Sequence, residues 1–197
     1  LLSAPVFIAM IGLAPWVVQL LYSSEFSSAI DILRWQILGD VLKVTSWPLG
    51  FVILAAGAGN TFFWVETTTL LLMGGLIVGL LPQLGLQITG IAFLASYAYL
   101  LPLVYILAWR RIRFKWLGTV FLLFLVILLL CIVVMQLSIH TKWGGQSAII
   151  LSASFGCFSL IRLAVMSNLG GTVGRLSPKL RRYNIVNSII NILSKLK

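Results

Sequence analysis

The chain has 197 residues, of which 60% are hydrophobic and 9% charged, with a mean hydropathy of +1.09 and a formal net charge of +10. A soluble domain averages about 45–50% apolar and about 25% charged residues, so this balance excludes an ordinary globular core and indicates a polytopic membrane protein. The bases lie beside apolar runs, which is the pattern of membrane-topology signals rather than of a nucleic-acid partner.

The chain opens inside a hydrophobic segment at Leu1-Leu2-Ser3, and it is expected to be the C-terminal part of a longer protein. About 20 mostly apolar residues cross roughly 30 Å of hydrocarbon. Six such segments are predicted, at 3–22, 35–58, 61–81, 88–110, 117–138 and 147–167, with the second extending back toward Ser28. The fold class is therefore all-α, a polytopic membrane helix bundle. The separators are short and polar or Gly-rich, as at Gly57-Ala58-Gly59-Asn60 and Pro82-Gln83-Leu84-Gly85, so sequential helices should run antiparallel.

Arg110, Arg111, Arg113 and Lys115 fall between spans four and five, and Arg175, Lys179, Arg181 and Arg182 follow span six. Six alternating spans put both clusters on one side, which the positive-inside rule makes cytoplasmic. The C-terminus is then cytoplasmic too. Residues 168–197 read as a basic tail. Within it Val186, Ile189, Ile190, Leu193 and Leu196 recur at helical spacing, which predicts an amphipathic helix on the membrane interface; a frayed tail is the plainer alternative.

Only four acidic residues occur, and two of them, Asp40 and Glu66, lie inside predicted spans. An ionised group in hydrocarbon carries a penalty of roughly 2.5–3.5 kcal/mol on insertion scales and tends to face a protein interior or a watery cavity. Asp40 and Lys43 are one helical turn apart and are placed to pair. With Arg34 and Gln36 they line the outer half of span two, which also carries Trp47 and Pro48. Proline removes a backbone hydrogen bond and commonly kinks a helix, so Pro48 is a candidate hinge. The plain alternative for the Asp40–Lys43 pair is an intrahelical salt bridge with no ligand. Glu66 reads either as a carboxylate stabilised by the helix N-terminus or as an ion-coupling group. Trp47 is placed to stack on a sugar or simply to pack.

Arg162 is close enough to the cytoplasmic edge to snorkel, and His140 reads as a surface residue. Gly74, Gly75, Gly79 and Gly90, with Ala92, Ala95, Ser96 and Ala98, read as packing seams. No HExxH, paired CxxC, G-x-S-x-G or P-loop motif occurs. With one His and four carboxylates, neither an enzyme, nor a metal site, nor a cofactor is expected. Cys131 and Cys157 lie in apolar runs and suggest no disulfide framework.

The run Trp35-Gln36-Ile37-Leu38-Gly39-Asp40-Val41-Leu42-Lys43, in a segment from Phe26 to Glu66 that includes Gly50-Phe51 and Ile53-Leu54-Ala55, resembles the Wzx-type O-antigen and lipid III flippases. These belong to the multidrug/oligosaccharidyl-lipid/polysaccharide exporter superfamily. The likeness covers residues 1–115. It implies a transporter of two six-helix lobes, of which residues 1–110 supply four helices of the C-terminal lobe. Residues 111–167 add two further spans beyond that pattern, before the tail at 168–197.

The resemblance further implies a bacterial inner-membrane flippase that carries undecaprenyl-pyrophosphate-linked oligosaccharide, an O-antigen or related lipopolysaccharide precursor, from the cytoplasmic to the periplasmic leaflet. Its partners would be this lipid-linked glycan, membrane lipids, and a glycan polymerase and chain-length regulator. On that basis Lys43, with Arg34 and Trp47, would bind substrate, Asp40 and Glu66 would support or couple ions, and Pro48 would bend. The alternatives are a drug/cation antiporter of the same superfamily, a membrane-embedded glycan polymerase, ligase or acyltransferase, and a structural membrane subunit.

Overall fold

A computed structural model describes residues 3–21, 26, 28–140 and 144–168. The predicted interfacial helix and the basic tail lie outside these residues. Six α-helices follow one another: α1 (Ala4–Leu21), α2 (Ala29–Ala55), α3 (Gly59–Leu84), α4 (Ile88–Ile112), α5 (Gly118–His140) and α6 (Gly144–Asn168). Among the described residues, five helical segments are long and apolar enough to cross a membrane, one of them the 54-residue run Gly59–Ile112. That run contains two of the six expected spans, α3 and α4, because the 3₁₀ turn Gly85–Gln87 divides it. The chain is an all-α, multi-pass membrane protein.

The helices start and stop close to where hydropathy placed them. α2 begins at Ala29, in keeping with the extension toward Ser28, and its 27 residues put Lys43 near its centre rather than in an outer half. α3 continues through Pro82 to Leu84. It stops at Gly85, whose φ of 58° and ψ of −150° lie in a region that is essentially glycine-only. Gly85→Ala is expected to destabilise this turn by roughly 1–3 kcal/mol, read as a lower Tm in detergent.

The packing divides the chain into two units, Phe7–Ile149 and a second comprising 1–6 with 150–197. In the second, the Ser152 hydroxyl donates to the Pro5 carbonyl at 2.7 Å. The first unit holds the candidate site, at the junction of α2, α3 and α4.

α2 and α4 run parallel. Near their N-terminal ends Gly90 abuts Ile32 and Trp35, and Gly39 abuts Phe93 and Leu94. Further along, Leu49 and Ile53 share a buried cluster with Leu100, Val104 and Ala108. α3 runs antiparallel to α4: Val65 joins the same cluster, and Arg111 Nη2 donates to the Thr61 hydroxyl at 3.3 Å. In lipid there is no hydrophobic force between helices, so dispersion and close backbone approach must hold them together. The two glycines on the α2–α4 seam permit that approach. By contrast, Gly74, Gly75 and Gly79 meet nothing within 4 Å, and the packing seam expected there is not formed among the described residues.

Several intramembrane hydroxyls are satisfied within their own helices. Thr45 donates to the Val41 carbonyl, Ser96 to Ala92, and Thr67, Thr68 and Thr69 to Phe63 and Val65. α5 is almost wholly apolar and buries only Cys131, Val134 and Met135, as a helix facing hydrocarbon can. At the end of α4, Arg113 takes a left-handed conformation, φ 55°. Its guanidinium lies 5.6 Å from the Trp109 ring centroid, an arrangement suited to a membrane–water boundary.

Candidate functional site

The two cations of α2 have different surroundings. Arg34, 5% exposed, donates from Nη1 to Asp31 Oδ1 at 3.2 Å and from Nη2 to Ser138 Oγ at 2.7 Å and the Ser138 carbonyl at 3.3 Å. The Ser138 hydroxyl in turn donates to the Gly12 carbonyl at 3.5 Å, and Gln87 Nε2 to Asp31 Oδ2 at 3.5 Å. This clasp ties α1, α2, α5 and the turn before α4 at one end of the bundle. Most of the guanidinium's hydrogen-bonding capacity is thus taken up by the protein, although Nε has no partner. Arg34→Gln is expected to lower stability by roughly 1.5–3 kcal/mol, the range for hydrogen bonds to a charged group, measured as Tm in detergent.

Lys43 lies nine residues further on, roughly 13 Å along the helix axis, so the structure does not bring Arg34 to it. Its ammonium sits 5.3 Å from the ring centroid of Trp47, 5.4 Å from that of Phe93 and 5.7 Å from that of Tyr97. An ammonium over an aromatic face gains roughly 0.5–1 kcal/mol where exposed and about 2 kcal/mol or more where desolvated. Trp47 is one turn beyond Lys43 on α2, whereas Phe93 and Tyr97 are one turn apart on α4, their ring centroids 4.8 Å apart and their planes tilted by 56°.

Asp40 and Lys43 form no salt bridge. Asp40 feels the charge of Lys43, but the one ion pair among the described residues is Arg34–Asp31. The spacing that suggested an Asp40–Lys43 pair is real. It is overridden because the lysine ammonium rests among three rings, Trp47 of α2 and Phe93 and Tyr97 of α4. Sequence reasoning missed Phe93 and Tyr97. Their spacing of four residues, one helical turn, was available as a signal; the register of α4 against α2 was not.

Behind Trp47 a cavity of about 300 Å³ is lined by Ser46, Trp47, Gly50, Phe51, Phe62, Glu66, Leu100 and Val104. Among the described residues, Glu66 supplies its only ionisable side chain. α3 begins at Gly59, which leaves Glu66 about two turns inside the helix, beyond the first turn where the macrodipole acts strongly. Helix-end stabilisation therefore does not account for this carboxylate. Glu66 has no hydrogen bond or ion pair among the described residues. The Ser46 hydroxyl is turned away from such use, since it donates to the Lys43 carbonyl at 2.9 Å.

Pro48 sits inside α2, which continues through it to Ala55. The turn before it, where Thr45 and Ser46 bond back to Val41 and Lys43, is the kind of segment in which side-chain hydroxyls compete with the helix ladder and bend it. Trp47, 51% exposed, is the ring shared by the lysine and the cavity. His140 is exposed and Arg162 half-buried. Among the described residues no group of His, Cys, Asp and Glu is arranged to hold a metal.

Two curated proteins named lipid III flippase, from Escherichia coli strain K12 and from Shigella flexneri, are each 29% identical to this chain over 101 residues. Half of the chain is similar to a lipid III flippase. The matched stretch is 50% of this chain and 24% of each relative, so the chain spans about a quarter of the length of the curated relatives it matches. No family model matches it. No solved structure matches it either.

Proposed function

We propose that this chain is part of an inner-membrane flippase, a transporter and not an enzyme, which moves undecaprenyl-pyrophosphate-linked oligosaccharide, such as an O-antigen unit, from the cytoplasmic to the periplasmic leaflet. The observation that carries this reading is the 29% identity over 101 residues to proteins named lipid III flippase. The geometry supports it through Lys43, a cation near the middle of a membrane-spanning helix that rests against aromatic rings and makes no salt bridge among the described residues. Secondary transporters commonly bind substrate at that depth. Cation–π contacts are weak enough to be exchanged for a charge-assisted bond to a pyrophosphate oxygen or an acidic sugar.

As Lys43 leaves, the faces of Trp47 and Tyr97 become available to sugar rings, so charge capture and ring stacking would occur together. Asp40 biases the position of the lysine, and Glu66 is the carboxylate placed to take part in ion coupling. Bending at Pro48 would move the cytoplasmic end of α2 as two lobes rock, this chain supplying helices of the C-terminal one. Arg34 holds the opposite end of α2 in place.

The direct test uses the full-length protein in vesicles containing a labelled lipid-linked oligosaccharide. Movement of label between leaflets must rise in proportion to protein. A rate equal to that of protein-free vesicles overturns the reading. Orientation has its own test: a cysteine at Gly145 should react with an impermeant thiol reagent applied from the periplasmic side, and one at Ser177 should not. The converse pattern would place the basic clusters outside.

A further inference from the structure

One end of the bundle concentrates positive charge without a matching negative one. Arg110 and Arg111 lie in the last turn of α4, Arg113 and Lys115 follow in the link to α5, and all four are exposed. No Asp or Glu occurs after Glu66, and none of the four bases forms an ion pair among the described residues. The link is anchored along its length. Phe114 and Trp116 pack against the buried cluster that Leu49, Val65 and Val104 help to form, with ring centroids 6.4 Å and 5.1 Å from that of Tyr105. Alternate residues are thereby held inward, which leaves Arg113, Lys115 and Leu117 exposed. Arg113 caps α4 in the left-handed conformation, φ 55° and ψ 31°, where glycine is ordinarily found. Its guanidinium is stationed over the Trp109 ring, and that of Arg111 on the Thr61 hydroxyl at the start of α3. A guanidinium has five N–H donors, so both keep donors for an anion.

A topology signal accounts for the sign of these charges. It does not account for arginine on a backbone that suits glycine, nor for aromatic residues that fix where the cations of the link stand. Trp109 and Trp116 set the link at the membrane–water boundary, since tryptophan rings favour headgroup depth. We propose that the α4–α5 link is a recognition surface for anionic phospholipids, holding a headgroup phosphodiester between Arg113 and Lys115. Zwitterionic headgroups are disfavoured, because their ammonium would meet four cations and no carboxylate. The lipid recognised here is one that surrounds the protein, not one that it carries, so the proposal stands apart from the transported substrate. Binding at the link would fix the end of α4 and, through Arg111 and Thr61, the start of α3, which makes both helix ends responsive to the lipid composition of that leaflet.

The test places the photoreactive residue p-benzoylphenylalanine at Leu117 of the full-length protein, in phosphatidylcholine vesicles. The vesicles carry a trace of radiolabelled phosphatidylglycerol or phosphatidylethanolamine with identical acyl chains. Crosslinked label should favour phosphatidylglycerol roughly tenfold or more, since each base near an anionic lipid is worth about fivefold. The same probe at Leu86, exposed at the opposite end of α3 and α4, should show no preference. Arg113→Gly should cut the ratio about fivefold without lowering Tm, because glycine suits the left-handed backbone; a loss of lipid preference is then not a loss of fold. Arg113→Lys, which keeps the charge, should retain most of the ratio. Arg113→Gly combined with Lys115→Gln should bring it close to one. Equal labelling by the two lipids at Leu117, the same preference at Leu86, or an unchanged ratio in the double variant would each overturn the proposal. So would displacement of phosphatidylglycerol by an equimolar lipid-linked oligosaccharide, because the surface would then belong to the substrate path.

Discussion

Lys43→Ala is expected to reduce translocation of lipid-linked oligosaccharide roughly thirtyfold or more, the consequence of removing one member of a desolvated charge contact with the substrate anion. Membrane level and Tm should be close to wild type, because Lys43 makes no salt bridge and its neighbours are rings that can close over the space. Lys43→Met separates charge from bulk: it keeps an unbranched apolar stem, so it should be as defective as the alanine variant. Lys43→Arg should retain part of the activity, since a guanidinium also stacks on aromatic faces and binds phosphate oxygens. Tyr97→Phe preserves the ring and should be mild; Tyr97→Leu removes it and should be more damaging. Near-normal translocation in Lys43→Met would remove Lys43 from the substrate path.

Gly90→Ala carries the largest structural effect. The new methyl would stand 2.7 Å from the Ile32 carbonyl oxygen and 2.9 Å from Trp35 Cβ. Neither atom can yield without moving the α2 backbone, so α4 must shift away. Overpacking of this kind costs about 1–3 kcal/mol, and a clash with fixed helix atoms belongs at the upper end of that range. Gly39→Ala meets Phe93 Cδ1 at 2.5 Å. A ring can turn aside, so its loss in Tm should be smaller, but that ring lies under the Lys43 ammonium. Gly39→Ala should therefore affect translocation more than its stability change suggests. Gly74→Ala serves as the control. It meets nothing within 4 Å and should raise stability slightly through helix propensity, by roughly 0.5–1 kcal/mol.

The helices were legible in the sequence because a bilayer imposes one strong rule: apolar runs of a fixed length broken by short polar links. The extension of α2 back to Ala29 was legible as well; that of α3 to Leu84 followed less directly, since Pro82 sits at a boundary where hydropathy changes before the helix ends. The roles of single charges were only half legible. Asp40 and Lys43 drew attention as intramembrane charges, but the partner of each charge depends on which helix lies alongside. Local spacing suggested Asp40 for Lys43, and the structure gives it Trp47, Phe93 and Tyr97. Asp31, which hydropathy does not single out, holds Arg34, and Ser138, over a hundred residues away, completes that clasp. Among the glycines, Gly90 matched the packing seam read from small residues and Gly74, Gly75 and Gly79 did not. Small size permits close approach without saying which helix will approach.

The resting place of the Lys43 ammonium also has an electrical consequence. Moving one elementary charge across the whole membrane at 100 mV is worth about 2.3 kcal/mol. A lysine stem can swing its ammonium by roughly 10 Å, about a third of a hydrocarbon layer of roughly 30 Å. A step that carries it that far along the membrane normal would shift its equilibrium about fourfold for each 100 mV. Were the proposed capture of ligand to draw Lys43 out of the aromatic cradle along that direction, the event would carry a small gating current, and the occupancy of these rings would follow the membrane potential as well as the concentration of ligand.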